Sequence, residues 1–123
     1  MNCEGDPIRI SMCHCIACQR RTGAPFGAQS RFLRSQISVQ GASSRYTRTA
    51  DSGNTVTHYF CPRCGSTVYW ELSGFPELIA VALGMFADPS YPAPKVSVWE
   101  SSRHVWTEHI ADLGLEHCEG APP

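Results

Sequence analysis

The chain has 123 residues, 42% of them hydrophobic and 17% charged, with a formal net charge of −1. That length suits a single domain with a core of useful size, and the balanced charge excludes a protein that holds nucleic acid by bulk electrostatics. No basic stretch followed by an apolar run opens the chain, and the longest apolar stretch, residues 78–86, is too short to span a bilayer, so a soluble cytoplasmic protein is expected.

In chain order, Ile8, Ile10 and Met12 alternate with Arg9 and Ser11, the pattern of a half-buried strand. That strand leads into a first cysteine knot, Cys13-His14-Cys15-Ile16-Ala17-Cys18-Gln19-Arg20-Arg21. Thr22, Gly23 and Pro25 then mark a turn-rich loop reaching Gly27. Short strands are expected at Ala28–Leu33, Ile37–Gln40 and Ser44–Thr49, a turn at Asp51–Asn54, and another strand at Thr55–Phe60.

A second knot, Cys61-Pro62-Arg63-Cys64-Gly65, interrupts the strands, which resume at Thr67–Leu72. Leu78–Leu83 is apolar on both faces and reads as a central strand. Asp88–Pro94 holds three prolines and cannot be helix interior. Val96, Val98 and Trp99 predict one more strand, and the weakly periodic tail allows only a short helical turn near Thr107–Leu113. Many short strands between turn signals predict a mainly β fold in one domain, 1–123, with zinc-ribbon-like knuckles.

Five of the seven cysteines lie in the two knots. In a reducing compartment a disulfide framework does not persist, and close Cys-x-x-Cys spacings point to metal or catalysis. Cys61 and Cys64 can grip one metal from a tight turn, with Pro62 stiffening it and Gly65 taking a backbone conformation that other residues resist. In the first knot, strand alternation puts Cys13 and Cys15 on one side and His14 on the other, and Cys18 curls back to complete a three-thiol face.

Spacing alone allows two partitions. In one, Cys15, Cys18, Cys61 and Cys64 form a closed tetrahedral site with Cys13 left over. In the other, Cys13, Cys15 and Cys18 hold a separate zinc with an open fourth position, as catalytic sites require. A redox reading of Cys15-Ile16-Ala17-Cys18 needs a helix starting at the first thiol, for which Thr22, Gly23 and Pro25 leave little room. His58 and His104 read as strand and loop histidines, and Tyr46, Tyr69, Trp70, Trp99 and Trp106 mostly as core.

Taken together, Cys13-His-Cys-x-x-Cys-x-Arg, Thr22-Gly-Ala-Pro-Phe, Phe60-Cys-Pro-x-Cys-Gly-Ser and Val81-Ala-Leu-Gly-Met-Phe-x-Asp-Pro resemble the glutathione-dependent formaldehyde-activating enzyme (GFA) family, which shares its domain with centromere protein V. The resemblance runs in order from about Gly5 to Gly120. It implies several small coiled antiparallel sheets around zinc, with a catalytic zinc on Cys13, Cys15 and Cys18. It also implies a structural zinc on Cys61 and Cys64 together with a Cys-x-Cys pair near the N-terminus.

The family's Gly-rich Cys-x-Cys segment precedes the Glu4-Gly5-Asp6-Pro7 turn, and this sequence starts almost at that turn. Two ligands of the family's structural zinc are thus not in the sequence, and Cys3 and Cys118 read as spare thiols. The implied activity is that of a carbon–sulfur lyase joining a glutathione-type thiol to formaldehyde or a related aldehyde. Arg20 and Arg21, beside the triplet, are candidates to steer the carboxylates of that thiol. The rival expectation is a non-catalytic zinc module that recognises protein or nucleic acid.

Overall fold

Period-two alternation and turn chemistry account for most of the secondary structure. The computed structural model describes residues 1–122. Its first half runs β1 (Asn2–Cys3), β2 (Arg9–Cys13), α1 (Ile16–Thr22), β3 (Gly27–Leu33), β4 (Ile37–Ser38) and β5 (Ser44–Thr49). The second half runs β6 (Thr55–Phe60), β7 (Thr67–Leu72), β8 (Leu78–Ala82), β9 (Val96–Val98) and β10 (Glu116–His117), with 3-10 turns at Leu83–Phe86, Glu100–Ser102 and Val105–Leu113. The fold is mainly β, as expected. No helix among the described residues is long and apolar enough to cross a membrane.

β5, β6 and β7 have the bounds expected from sequence. Trp99, expected in a strand, instead takes a left-handed backbone with φ of 58° and ends β9. A left-handed residue cannot continue an extended ladder. The helical turn expected near Thr107–Leu113 is a longer 3-10 stretch. α1 was not expected at all.

The chain divides into two compact units, the first made of Met1–Ile8 and Ser30–Met85, the second of Arg9–Gln29 and the chain from Phe86 onward. In the first unit β5, β6, β7 and β8 form an antiparallel meander, with Tyr46 opposite His58, His58 opposite Trp70, and Trp70 opposite Ala80. One face buries Val56, Trp70 and Ala80, against which Ala50, Leu72 and Ala82 pack. Burying side chains the size of Val56 and Trp70 stabilises the unit by roughly 1.5–3 kcal/mol each. The rings of Tyr59 and Tyr69 stack 4.4 Å apart. Glu71 accepts from the Tyr59 hydroxyl at 3.3 Å and pairs with Arg34 at 2.8 Å. A register shift at Tyr59/Phe60 bends β6 immediately before Cys61.

In the second unit β9 lies between β2 and β10 and pairs parallel with both, Cys13 opposite Val98 and His117 opposite Ser97. The antiparallel pairing that the family resemblance implies therefore does not extend to these strands. They come from separated stretches joined by long connections rather than hairpins, and parallel neighbours require such crossovers. Tyr69 and Trp70 are buried, as expected of core aromatics, while Tyr46 and Trp106 are 62% and 64% exposed.

Candidate metal centre

The first knot is built where β2 gives way to α1. Cys13 is the last residue of β2 and is buried. The His14 N–H donates to the Val98 carbonyl at 3.0 Å, carrying the ladder one residue further. Cys15 then adopts an extended N-cap conformation, and its Sγ accepts the Cys18 N–H at 3.3 Å. Within the helix Gln19 N–H reaches the Cys15 carbonyl at 3.0 Å. Gly23, left-handed with φ of 65°, closes the helix by donating to the Gln19 carbonyl at 2.8 Å.

The helix for which Thr22, Gly23 and Pro25 were read as leaving little room is thus present, and Gly23 is its C-terminal cap. A strand end, a cap position and the first helical turn bring the sulfurs of Cys13, Cys15 and Cys18 within 4.8 Å of one another. This group could hold a metal ion. All three thiols belong to the second unit, whereas Cys61 and Cys64 belong to the first.

Mutual hydrogen bonding and burial keep protons on the triad, so a metal ion would have to displace them. Cys13 has its pKa pushed far above the ordinary thiol value by hydrogen bonding to Cys15 and then Cys18, with burial adding to it. At Cys18 the hydrogen bond with Cys13 pulls downward, but hydrogen bonding with Cys15 and burial outweigh it and the net shift is upward. Three thiols this close cannot lose their protons together unless a positive charge replaces them. Of the two arginines expected to steer substrate, Arg20 is exposed and Arg21 is half-buried. The Arg21 charge lowers the Cys18 pKa, and its Nη2 lies 2.8 Å from where a Cβ on Gly27 would sit.

Two supports hold this loop, and neither left a signal in the sequence because both join residues far apart in the chain. Gln19 Nε2 donates to the His14 carbonyl at 2.8 Å and the Ser102 carbonyl at 2.9 Å, while its Oε1 meets His104 Nε2 at 2.8 Å. His14 is 1% exposed; its Nε2 lies 3.1 Å from Ser97 Oγ and its ring faces Phe26 at 5.8 Å. Ser97 also hydrogen-bonds Glu100, which accepts from His117 Nδ1 at 2.8 Å. Cys118, read as a spare thiol, packs on the same cluster of Cys13, Val96 and Val98 that Cys15 and Cys18 cover. His58 lies on β6 beside the Trp70 ring at 5.7 Å and belongs to no metal-holding group among the described residues.

The second knot is a tight turn closed by Gly65 N–H to the Cys61 carbonyl at 2.8 Å and Cys61 N–H to the Ser66 carbonyl at 2.9 Å. Gly65 has φ of 75°, a left-handed value that favours glycine. Cys64 is exposed, and hydrogen bonding with Ser66, then with Cys61, holds its thiol below the ordinary pKa. A structural zinc takes four donors. Among the described residues no third Cys, His, Asp or Glu joins Cys61 and Cys64, so the knuckle supplies half of such a set.

Curated proteins yield no match to the chain. The family model for glutathione-dependent formaldehyde-activating enzyme matches residues 1–102, which takes in both knots and ends ahead of the 3-10 stretch at Val105–Leu113. The chain belongs to the glutathione-dependent formaldehyde-activating enzyme family.

Proposed function

We propose that Cys13, Cys15 and Cys18 hold a zinc ion and that the protein is a carbon–sulfur lyase acting on a glutathione-type thiol and formaldehyde or a related small aldehyde. The observation that carries this reading is the approach of three thiols to within 4.8 Å in a chain of this family. Three thiolates suit zinc, and three protein ligands leave the fourth tetrahedral position open. Zinc held there would keep an incoming thiol ionised near neutral pH, which is the nucleophilic form.

The chain's own residues bind and orient. Arg21, half-buried and electrostatically coupled to Cys18, takes a carboxylate of the thiol substrate, and exposed Arg20 adds attraction at longer range. Gln19 and His14 keep the loop from relaxing when substrate arrives. In the net reaction the thiol sulfur bonds to the aldehyde carbon and the carbonyl oxygen ends as a hydroxyl, the proton having come from the thiol. The reverse reaction cleaves that carbon–sulfur bond. No electron is gained or lost. A reducing cytoplasm, in which all seven cysteines stay free, suits this chemistry.

The test is exchange NMR of formaldehyde with glutathione. Zinc-loaded protein is expected to speed exchange, and Cys13→Ser to abolish the acceleration together with metal binding at the triad. Zinc-loaded protein that accelerates exchange with no thiol tested ends the enzyme reading.

A further inference from the structure

β2, β9 and β10 run parallel, so the chain leaves all three at the same end of the ladder. β2 ends at Cys13 and passes into the triad, while β9 ends opposite it at Val98. The next residue, Trp99, is left-handed, with φ of 58° and ψ of 43°. A bulky side chain is strained there, whereas glycine adopts the conformation freely. The strain is held by hydrogen bonds at both ends of the residue. The Trp99 N–H donates to the Gly120 carbonyl at 3.1 Å, and the Trp99 carbonyl accepts from the Ser102 N–H and Oγ, both at 3.3 Å. Strain persists only where the surroundings over-determine it, and it gathers at ligand sites.

A second observation says where the side chain sits. Trp99 packs on the cluster of Cys13, Val96 and Val98 that Cys15 and Cys18 also cover. Cys13, Val96 and Val98 are buried, but Trp99 is only half-buried, as are Cys15 and Cys18. An aromatic that served only to fill the core would be sealed in, as Trp70 is at 4% exposure. Trp99 thus stands beside the triad with part of its surface open to solvent. Small-molecule sites are built this way, with aromatic faces giving area and a few polar groups fixing orientation.

We propose that Trp99 determines specificity at the thiol site, its indole forming the wall on which the peptide-like body of a glutathione-type thiol lies. This rests on the reading of the triad given above. Such a thiol carries planar amides that fit flat against a ring, and their contact takes apolar ring surface out of water. A small thiol such as 2-mercaptoethanol reaches the triad yet leaves most of the indole uncovered. Preference for the longer thiol therefore comes from Trp99 as well as from the arginine charge.

The test combines fluorescence with kinetics on the zinc-loaded full chain. Parent emission less that of Trp99→Phe isolates Trp99 from Trp70 and Trp106. Glutathione should shift that emission saturably to the blue and shield it from acrylamide, and 2-mercaptoethanol should do neither. In formaldehyde exchange, Trp99→Ala should raise the KM for glutathione about tenfold, change kcat little and leave 2-mercaptoethanol unaffected. That loss should persist at high salt, where an exposed arginine–carboxylate contact is screened. Trp99→Phe keeps a ring and should recover most of the affinity. Trp99→Gly removes the same side chain but relieves the backbone, so its metal-free form should melt about 3–6 °C above that of Trp99→Ala.

Trp99 emission that ignores glutathione overturns the proposal. So does a Trp99→Ala protein with unchanged glutathione kinetics or with equal losses toward both thiols, and so does Trp99→Gly melting below Trp99→Ala. Failure of the enzyme reading alone looks different: Trp99 emission then responds to glutathione in a protein that accelerates no exchange.

Discussion

The Cys18 N–H points at the Cys15 sulfur, 3.3 Å away, so that one thiol both caps α1 and stands in the triad that could hold a metal ion. Helix N-termini leave backbone N–H groups without partners, and a side-chain acceptor at the cap satisfies one of them. Here the acceptor is sulfur, so folding of the short helix and assembly of the triad are the same local event. The thiol group is thus preorganised by backbone geometry.

Substitutions at Cys15 separate its two duties. Cys15→Ser keeps a capping acceptor and loses a thiolate; apo stability should change by less than about 0.5 kcal/mol while metal affinity falls by at least about 100-fold. Cys15→Ala loses both, and its apo form should be less stable than Cys15→Ser by about 1 kcal/mol. Urea melts of the metal-free proteins and competition with a chromophoric chelator provide the two readouts. Equal apo stabilities for the two variants would show that the sulfur does no capping.

Gly27 gives access to Arg21 while leaving all three triad thiols in place. A Cβ there would stand 2.8 Å from Arg21 Nη2 but 3.5 Å from Cys18 Cβ and 3.6 Å from Thr22 Cγ2, so only the flexible guanidinium has to move. Gly27→Ala should therefore leave stability within about 0.5 kcal/mol of the parent and displace the charge proposed to hold a substrate carboxylate. The expected kinetic signature is a KM for glutathione raised by about three- to tenfold with little change in kcat. A neutral thiol substrate should not distinguish the two proteins, and if it does, the displaced charge is not the cause.

Much of this architecture is legible in the sequence because its signals are local. Alternation in Thr55–Phe60 and the resumption of strand residues at Thr67–Leu72 after the second knot mark two strands to the residue, and the apolar run from Leu78 marks a strand whose interior, Ile79 to Val81, is buried. α1 was illegible because it spans only seven residues and holds its first turn with a sulfur cap. Gly23, one of the three residues read against a helix, is what ends it. The supports from Gln19 to Ser102 and from His14 to Ser97 join residues 83 positions apart, a separation at which composition and periodicity carry nothing. The parallel pairing of β9 with β2 was hidden for the same reason.

The His14–Ser97 contact should act as a unit. His14 is 1% exposed with its Nε2 3.1 Å from Ser97 Oγ, and Ser97→Ala leaves that nitrogen buried without its partner. A cost of about 1–3 kcal/mol is expected for Ser97→Ala, and roughly 2–4 kcal/mol for His14→Ala, which also opens a cavity. Because both remove the same interaction, the double variant should be less destabilised than the sum of the singles by about 1 kcal/mol. Additive losses in denaturant melts would mean that the two side chains do not interact in solution.

Glu100 makes the stability of the second unit depend on acid. Its burial would raise the carboxyl pKa, yet hydrogen bonds from Ser97 and His117 and the nearby His117 and Arg103 charges outweigh this and hold it below the ordinary glutamate range. A carboxylate whose folded pKa is depressed contributes stability that is fully present above its unfolded pKa and disappears as pH falls through the folded one. The side chain is only 10% exposed, so solvent screens the interaction little. Between about pH 6 and about pH 3, spanning the carboxylate range, the parent protein should lose about 1–2 kcal/mol relative to Glu100→Gln, which retains an acceptor and cannot titrate. Melts of the metal-free forms keep ligand protonation common to both proteins, so the difference between them isolates Glu100. A gap that stays constant across that window would assign the acid sensitivity to other carboxylates.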